Sequence, residues 1–70
     1  MDYKGDIGKF VTVEFTRDGQ QFFLKGILQA VETLANGRIL LNIQDIAVAE
    51  KTNIVAEEAI HSYFARPYLK

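Results

Sequence analysis

"GILQAVETLAN", residues 26–36, opens with a glycine inside an apolar run, reaches a lone acid at Glu32 and closes at Asn36, just before Gly37. Its reading decides the fold. Together with the residues before it, the run is apolar on both parities. Phe22, Leu24 and Leu28 share one parity, and Phe23, Ile27 and Val31 share the other. A flat sheet with one wet face alternates cleanly, so a strand apolar on both sides passes from one packing environment into another. Gly26 lies between the two halves, where a missing side chain lets a strand bend and another backbone approach closely. The expectation is one long, bent strand, the mark of a small and strongly curved sheet.

The flanking sequence fits that expectation. Before it, Val11, Val13 and Phe15 alternate with Thr12, Glu14 and Thr16, the period of a half-buried strand. Asp18-Gly19 then separates two such runs, a hairpin signal because a tight turn demands positive φ. After Asn36-Gly37, a second turn signal, Ile39, Leu41 and Ile43 begin a third strand, which continues through Ile46 and Val48 on the other parity. That slip predicts a bulge at Gln44-Asp45.

The last stretch, AEKTNIVAEEAIHSYFARP, admits two readings. Val55, Ala59, Ile60, Tyr63 and Phe64 fit helical spacing, and Ala-Glu-Glu-Ala favours helix. The alternative is two short strands, over 54–56 and 59–64, with a turn at Glu57-Glu58. Pro67 ends either element.

Composition bounds the rest. At 70 residues the chain holds one domain, near the size at which one core is barely sufficient. There is no cysteine, so no disulfide staple is possible, and His61 is the one histidine, which leaves no structural zinc set. Association with copies of itself is the staple that remains. Nothing resembles a signal peptide or a membrane span, and the chain is read as soluble and cytoplasmic, with no membrane partner. Eight Lys and Arg against nine Asp and Glu give no overall pull toward nucleic acid, so such binding would need local clustering. With no cysteine nucleophile, no serine beyond Ser62, no phosphate loop and no second histidine, the chain is not expected to be an enzyme. No cofactor and no metal are expected.

Bent strands joined by hairpins in so short a chain suggest a small SH3-like or Sm-like barrel. The opening stretch resembles the first motif of the Sm and Sm-like family: Gly26, Leu28, Glu32, Leu34 and Asn36 fall in order at its glycine, leucine, acid, loop and asparagine positions. VTVEFTRDG is similar to the family's first strand, although Gly19 and Gly26 lie two residues further apart than usual. Val55, Ala59 and Ile60 are similar to the second motif in its bacterial host-factor form, which tips the tail toward two strands.

The resemblance implies a mainly β fold, a strongly bent five-stranded barrel over about 9–64, with a segment 1–8 before it, a tail 65–70 after it and room for a short helix at a terminus. It implies a homo-oligomeric ring of roughly five to seven subunits, closed by pairing the fourth strand of one copy with the fifth of the next. It also implies that the ring binds single-stranded RNA, or short DNA, as a chaperone or processing accessory. Asn36 would then contact a base edge, Glu32 would orient it, and Leu34 would stand at the stacking position.

The chain departs from the family where a basic residue would hold base and phosphate, because Glu57 and Glu58 occupy that turn. The charge would have to come from Arg38 and from Arg66 and Lys70 in the tail, where Tyr68 adds an aromatic ring, with Lys4 and Lys9 adding to it. The other reading is a barrel that serves as a protein-interaction scaffold and binds no nucleic acid. Phe22, Phe23, Tyr63 and Phe64 are expected in the core or a subunit interface.

Overall fold

The computed structural model describes residues 3–48 and 51–67. These form five antiparallel strands in one sheet: β1 (Phe10–Arg17), β2 (Gln20–Thr33), β3 (Ile39–Asp45), β4 (Thr52–Ala56) and β5 (Ile60–Arg66). The order across the sheet is β4-β3-β2-β1-β5, so the two strands adjacent in sequence at the end of the chain form opposite edges. The strand reading of the tail holds. Ala-Glu-Glu-Ala yields only a three-residue 3-10 turn, Glu57–Ala59, because the β-branched residues on both sides pair into the sheet. A second 3-10 turn, Tyr3–Asp6, supplies the helical segment at a terminus.

The hairpin at 18–19 forms as read. Asp18 has φ 53° and Gly19 φ 77°, and Arg17 pairs with Gln20 across a two-residue turn. The long strand β2 serves two partners in succession: residues 20–27 pair with β1 and residues 26–33 with β3. Gly26 belongs to both ladders. A Cβ built there would lie 2.0 Å from the Gln44 carbonyl oxygen, so no other residue fits while β3 crosses at that distance.

The parity change lies three residues further on than Gly26. Register shifts between Leu28 and Ala30, which leaves Gln29 as the extra residue of a bulge and returns Val31 to the core side. The bulge expected at Gln44-Asp45 is absent. β3 ends at Asp45, whose Oδ1 accepts the N–H groups of Ala47 and Val48 in a side-chain-capped turn. Ile46 and Val48 therefore do not continue the strand, and both are exposed.

The core is assembled from one parity of each strand: Val11, Val13 and Phe15 of β1, Leu24 and Leu28 of β2, Leu41 and Ile43 of β3, and Val55 of β4. Ile60, Tyr63 and Ala65 of β5 pack against it. Tyr3 joins it from outside the sheet at 7% exposure, so the segment before β1 is part of the fold rather than an appendage. The Gly8 N–H donates to the Leu28 carbonyl at 2.8 Å, and the Leu28 N–H donates to the Lys9 carbonyl at 3.1 Å. Phe22 and Phe23, expected in core or interface, are exposed, and Phe22 only stacks on Phe15 at 5.5 Å.

The sheet is open, with β4 and β5 as its edges, but it curls. β1 and β4 are separated by two strands, yet the Arg17 guanidinium at the end of β1 donates to the Ile54 carbonyl of β4 at 2.6 Å. No helix among the described residues is long and apolar enough to cross a membrane.

Candidate functional site

The loop between β2 and β3 is built by its own backbone. The Leu34 N–H donates to the Arg38 carbonyl at 2.8 Å, and the Gly37 N–H donates to the Leu34 carbonyl at 2.9 Å. Gly37 has φ 88°, which a side chain would strain. Asn36 closes the loop, its Oδ1 accepting the Arg38 N–H at 3.0 Å. Asn36 therefore works first as a turn residue, and the amide nitrogen is the group left to donate to a ligand.

Arg38 does not stand as an isolated cation. Its guanidinium forks onto Glu58, with Nε 3.0 Å from Oε1 and Nη2 3.1 Å from Oε2. The hydrogen bonds to Glu58, and then its charge, raise the guanidinium pKa. The hydrogen bond from Arg38 holds the Glu58 carboxyl below the usual carboxylate range. Both groups are exposed, so water and salt screen the pair and its contribution to stability is small. Its effect is positional, tying the loop after β2 to the turn before β5.

Glu57 acts in the same way on the other side. Burial first, and then a hydrogen bond to the Glu57 carboxylate, raise the Tyr3 phenol pKa. Tyr63 donates to Asp6 Oδ2 at 3.0 Å and meets the Tyr3 ring edge-on at 5.0 Å. Burial, followed by that hydrogen bond, pushes the Tyr63 phenol well above its ordinary value. The two acids that stand where a basic residue was expected thus anchor two separate segments. Sequence reasoning missed this because each partner lies far away in the chain and nothing local marks it.

Of the residues singled out from sequence, Leu34, Asn36 and Arg38 share the loop. Glu32 lies at the end of β2, opposite Leu40, and lines a small hollow of about 50 Å³ with Ala30, Leu40, Asn42 and Ile54. The Asn42 Oδ1 there is buried and has no hydrogen-bond partner. Arg66 does not join this group. It pairs with Phe10 at the far end of β5, about 20 Å along the strand from Ile60, and its guanidinium lies 5.1 Å from the Phe10 ring centroid. Tyr68 and Lys70 lie outside the described residues. Lys9 is paired with Asp6 at 3.1 Å.

Among the described residues no cluster of three His, Cys, Asp or Glu side chains could hold a metal ion. A larger hollow of about 250 Å³ lies near the β1–β2 hairpin, lined by Glu14, Phe15, Gln21, Phe22, Phe23 and His61. His61 meets the Thr16 hydroxyl there. The chain matches no family model, no curated protein and no solved structure.

Proposed function

We propose that this chain is the repeating unit of an Sm-like ring, in which curled five-stranded barrels close head to tail and bind single-stranded RNA. The observation that carries the ring is the state of the two edges. β4 and β5 each have a strand neighbour on one side alone, with the Arg17 guanidinium on the Ile54 carbonyl of β4, and each bears a large apolar side chain in solvent, Ile54 at 54% and Phe64 at 61% exposure. Long edges flanked by exposed apolar residues are a liability in a monomer. Pairing β4 of one copy with β5 of the next satisfies the backbone and extends the sheet of a chain that is short of core.

RNA contact is assigned to the β2–β3 loop, where the Asn36 amide nitrogen can donate to a base edge and Leu34 can pack on its face. Arg38 would meet the phosphate once Glu58 releases it. The scaffold reading is supported by that same ion pair, which neutralises the nearest cation. Fluorescence anisotropy with short U-rich and A-rich RNA separates the two. Binding at low salt that weakens as salt rises, and that Asn36→Ala or Arg38→Ala reduces without changing the mass of the oligomer, supports the RNA ring. No shift at low salt with micromolar ring leaves the scaffold.

A further inference from the structure

The register of β1 sorts its neighbours into rows on the outer face of the sheet, the face away from the core. Phe23 of β2, Glu14 and Ser62 of β5 make one row. Lys25, Thr12 and Phe64 make the next, and Ile27, Phe10 and Arg66 the third. Three phenylalanines therefore stand on one face, Phe10 half-buried and the other two exposed, interleaved with two cations. Phe23 and Phe64 are 59% and 61% exposed. The Lys25 ammonium lies 5.5 Å from the Phe23 ring centroid and the Arg66 guanidinium 5.1 Å from that of Phe10. Phe23 and Phe64 are two strands and one row apart, about 12 Å by sheet geometry.

We propose that this outer face of β2, β1 and β5 is a platform for single-stranded nucleic acid, separate from the loop at Asn36 and on the other half of β2. An apolar protein partner would want a continuous greasy patch, and here Thr12, Glu14, Lys25 and Ser62 separate the rings. A nucleic-acid strand alternates a π face with a negative charge, and this surface alternates rings with cations in the same way. An Arg or Lys already stacked on a ring is held in place to meet a phosphate, and a base stacks on an exposed ring at no sequence cost.

Glu14 is the one acid in these rows and opposes phosphate, so it fixes how the strand lies. The phosphates run past Lys25 and Arg66, and the base on Phe23 turns its edge toward Glu14 and the neighbouring hollow that Gln21 and His61 line. A carboxylate accepts a hydrogen bond from an exocyclic amine, which cytosine has and uracil lacks. Lateral pairing of β5 with a neighbour's strand leaves this face open, because strands in a sheet meet side by side and do not cover one another's faces. The platform goes beyond the proposed ring and needs no contact at the loop.

The test is anisotropy with short oligocytidylate and oligouridylate, using wild type and the exposed-site variants Phe23→Leu and Phe64→Leu, which keep apolar bulk and remove the π face. Each leucine variant is expected to weaken oligocytidylate binding about tenfold, with unchanged far-ultraviolet circular dichroism, and Phe23→Tyr and Phe64→Tyr to restore it. Wild type should prefer oligocytidylate, and Glu14→Gln should reduce that preference. Unchanged affinity in both leucine variants overturns the platform. If Asn36→Ala abolishes binding at the same time, the loop reading survives without it. If the leucine variants change the mass in solution and not the affinity, the face is an interface between copies and the proposal falls.

Discussion

Gly26→Ala is the substitution whose cost the structure states most directly. The added Cβ would sit 2.0 Å from the Gln44 carbonyl oxygen and 2.9 Å from both the Gln44 carbonyl carbon and the Ile43 side chain. Two of these contacts are backbone, which no rotamer change relieves, so β2 and β3 must part by more than 1 Å at the bend. Overpacking of this kind costs about 1–3 kcal/mol. The displacement also strains ladder hydrogen bonds on both sides, each worth about 1 kcal/mol. The expected loss is about 3 kcal/mol, against a total of about 4–10 kcal/mol for a chain of this length. In thermal unfolding, a loss of that size lowers the midpoint by about 12–24 °C. Measurement at a fixed chain concentration keeps any association equilibrium constant. A midpoint within 2 °C of wild type would refute the close crossing at Gly26, and with it the bend that organises the fold.

Other outcomes follow from the same geometry. Glu58→Gln should leave the thermal midpoint unmoved, because the pair is exposed, while raising RNA affinity and steepening its salt dependence by about 0.7 in log–log slope as Arg38 gains a phosphate; an unchanged slope removes Arg38 from the site. Gly19→Ala forces a side chain into φ 77° and should cost about 1–2 kcal/mol in urea unfolding. The Tyr63 phenol titrates higher when folded than its ordinary value of 10.0, so its contribution is intact below that pH. It is lost as pH rises, because the unfolded chain gives up the proton first. Tyr63→Phe should remove part of the alkaline fall in the urea midpoint, Tyr3 keeping the rest. Ile54→Lys puts a charge on the β4 edge and should lower the mass in solution toward the single-chain 7.9 kDa without loss of β-sheet circular dichroism.

The parts of this fold that were legible are those where a residue's own chemistry forces the backbone. Asp18-Gly19 must turn because both residues accept positive φ, and the alternation in β1 can face the core only one way. The bend in β2 was visible as apolar residues on both parities around Gly26. The bulge was not, because Gln29 carries no bulge chemistry, and the slip after Ile43 drew attention to Gln44-Asp45 instead. There Asp45 ends the strand by capping its own turn. The tail was ambiguous because Glu57 and Glu58 favour helix locally while Ile54, Val55 and Ile60 are claimed by pairing at long range. In the candidate site, Asn36 and Arg38 could be read from the turn. That Glu58 would take Arg38, and Glu57 the Tyr3 phenol, depends on the third dimension alone. So does the outer face, whose phenylalanines come from three strands and form no local motif.

The central claim is that β4 and β5 complete the sheet by pairing with copies of the same chain. The molecular mass in solution, by light scattering over a range of chain concentrations, tests it most directly. Five to seven copies of a 7.9 kDa chain give about 40–55 kDa, and a single species in that range that persists on dilution is the expected result. A stable, folded species of 7.9 kDa at high concentration would contradict it.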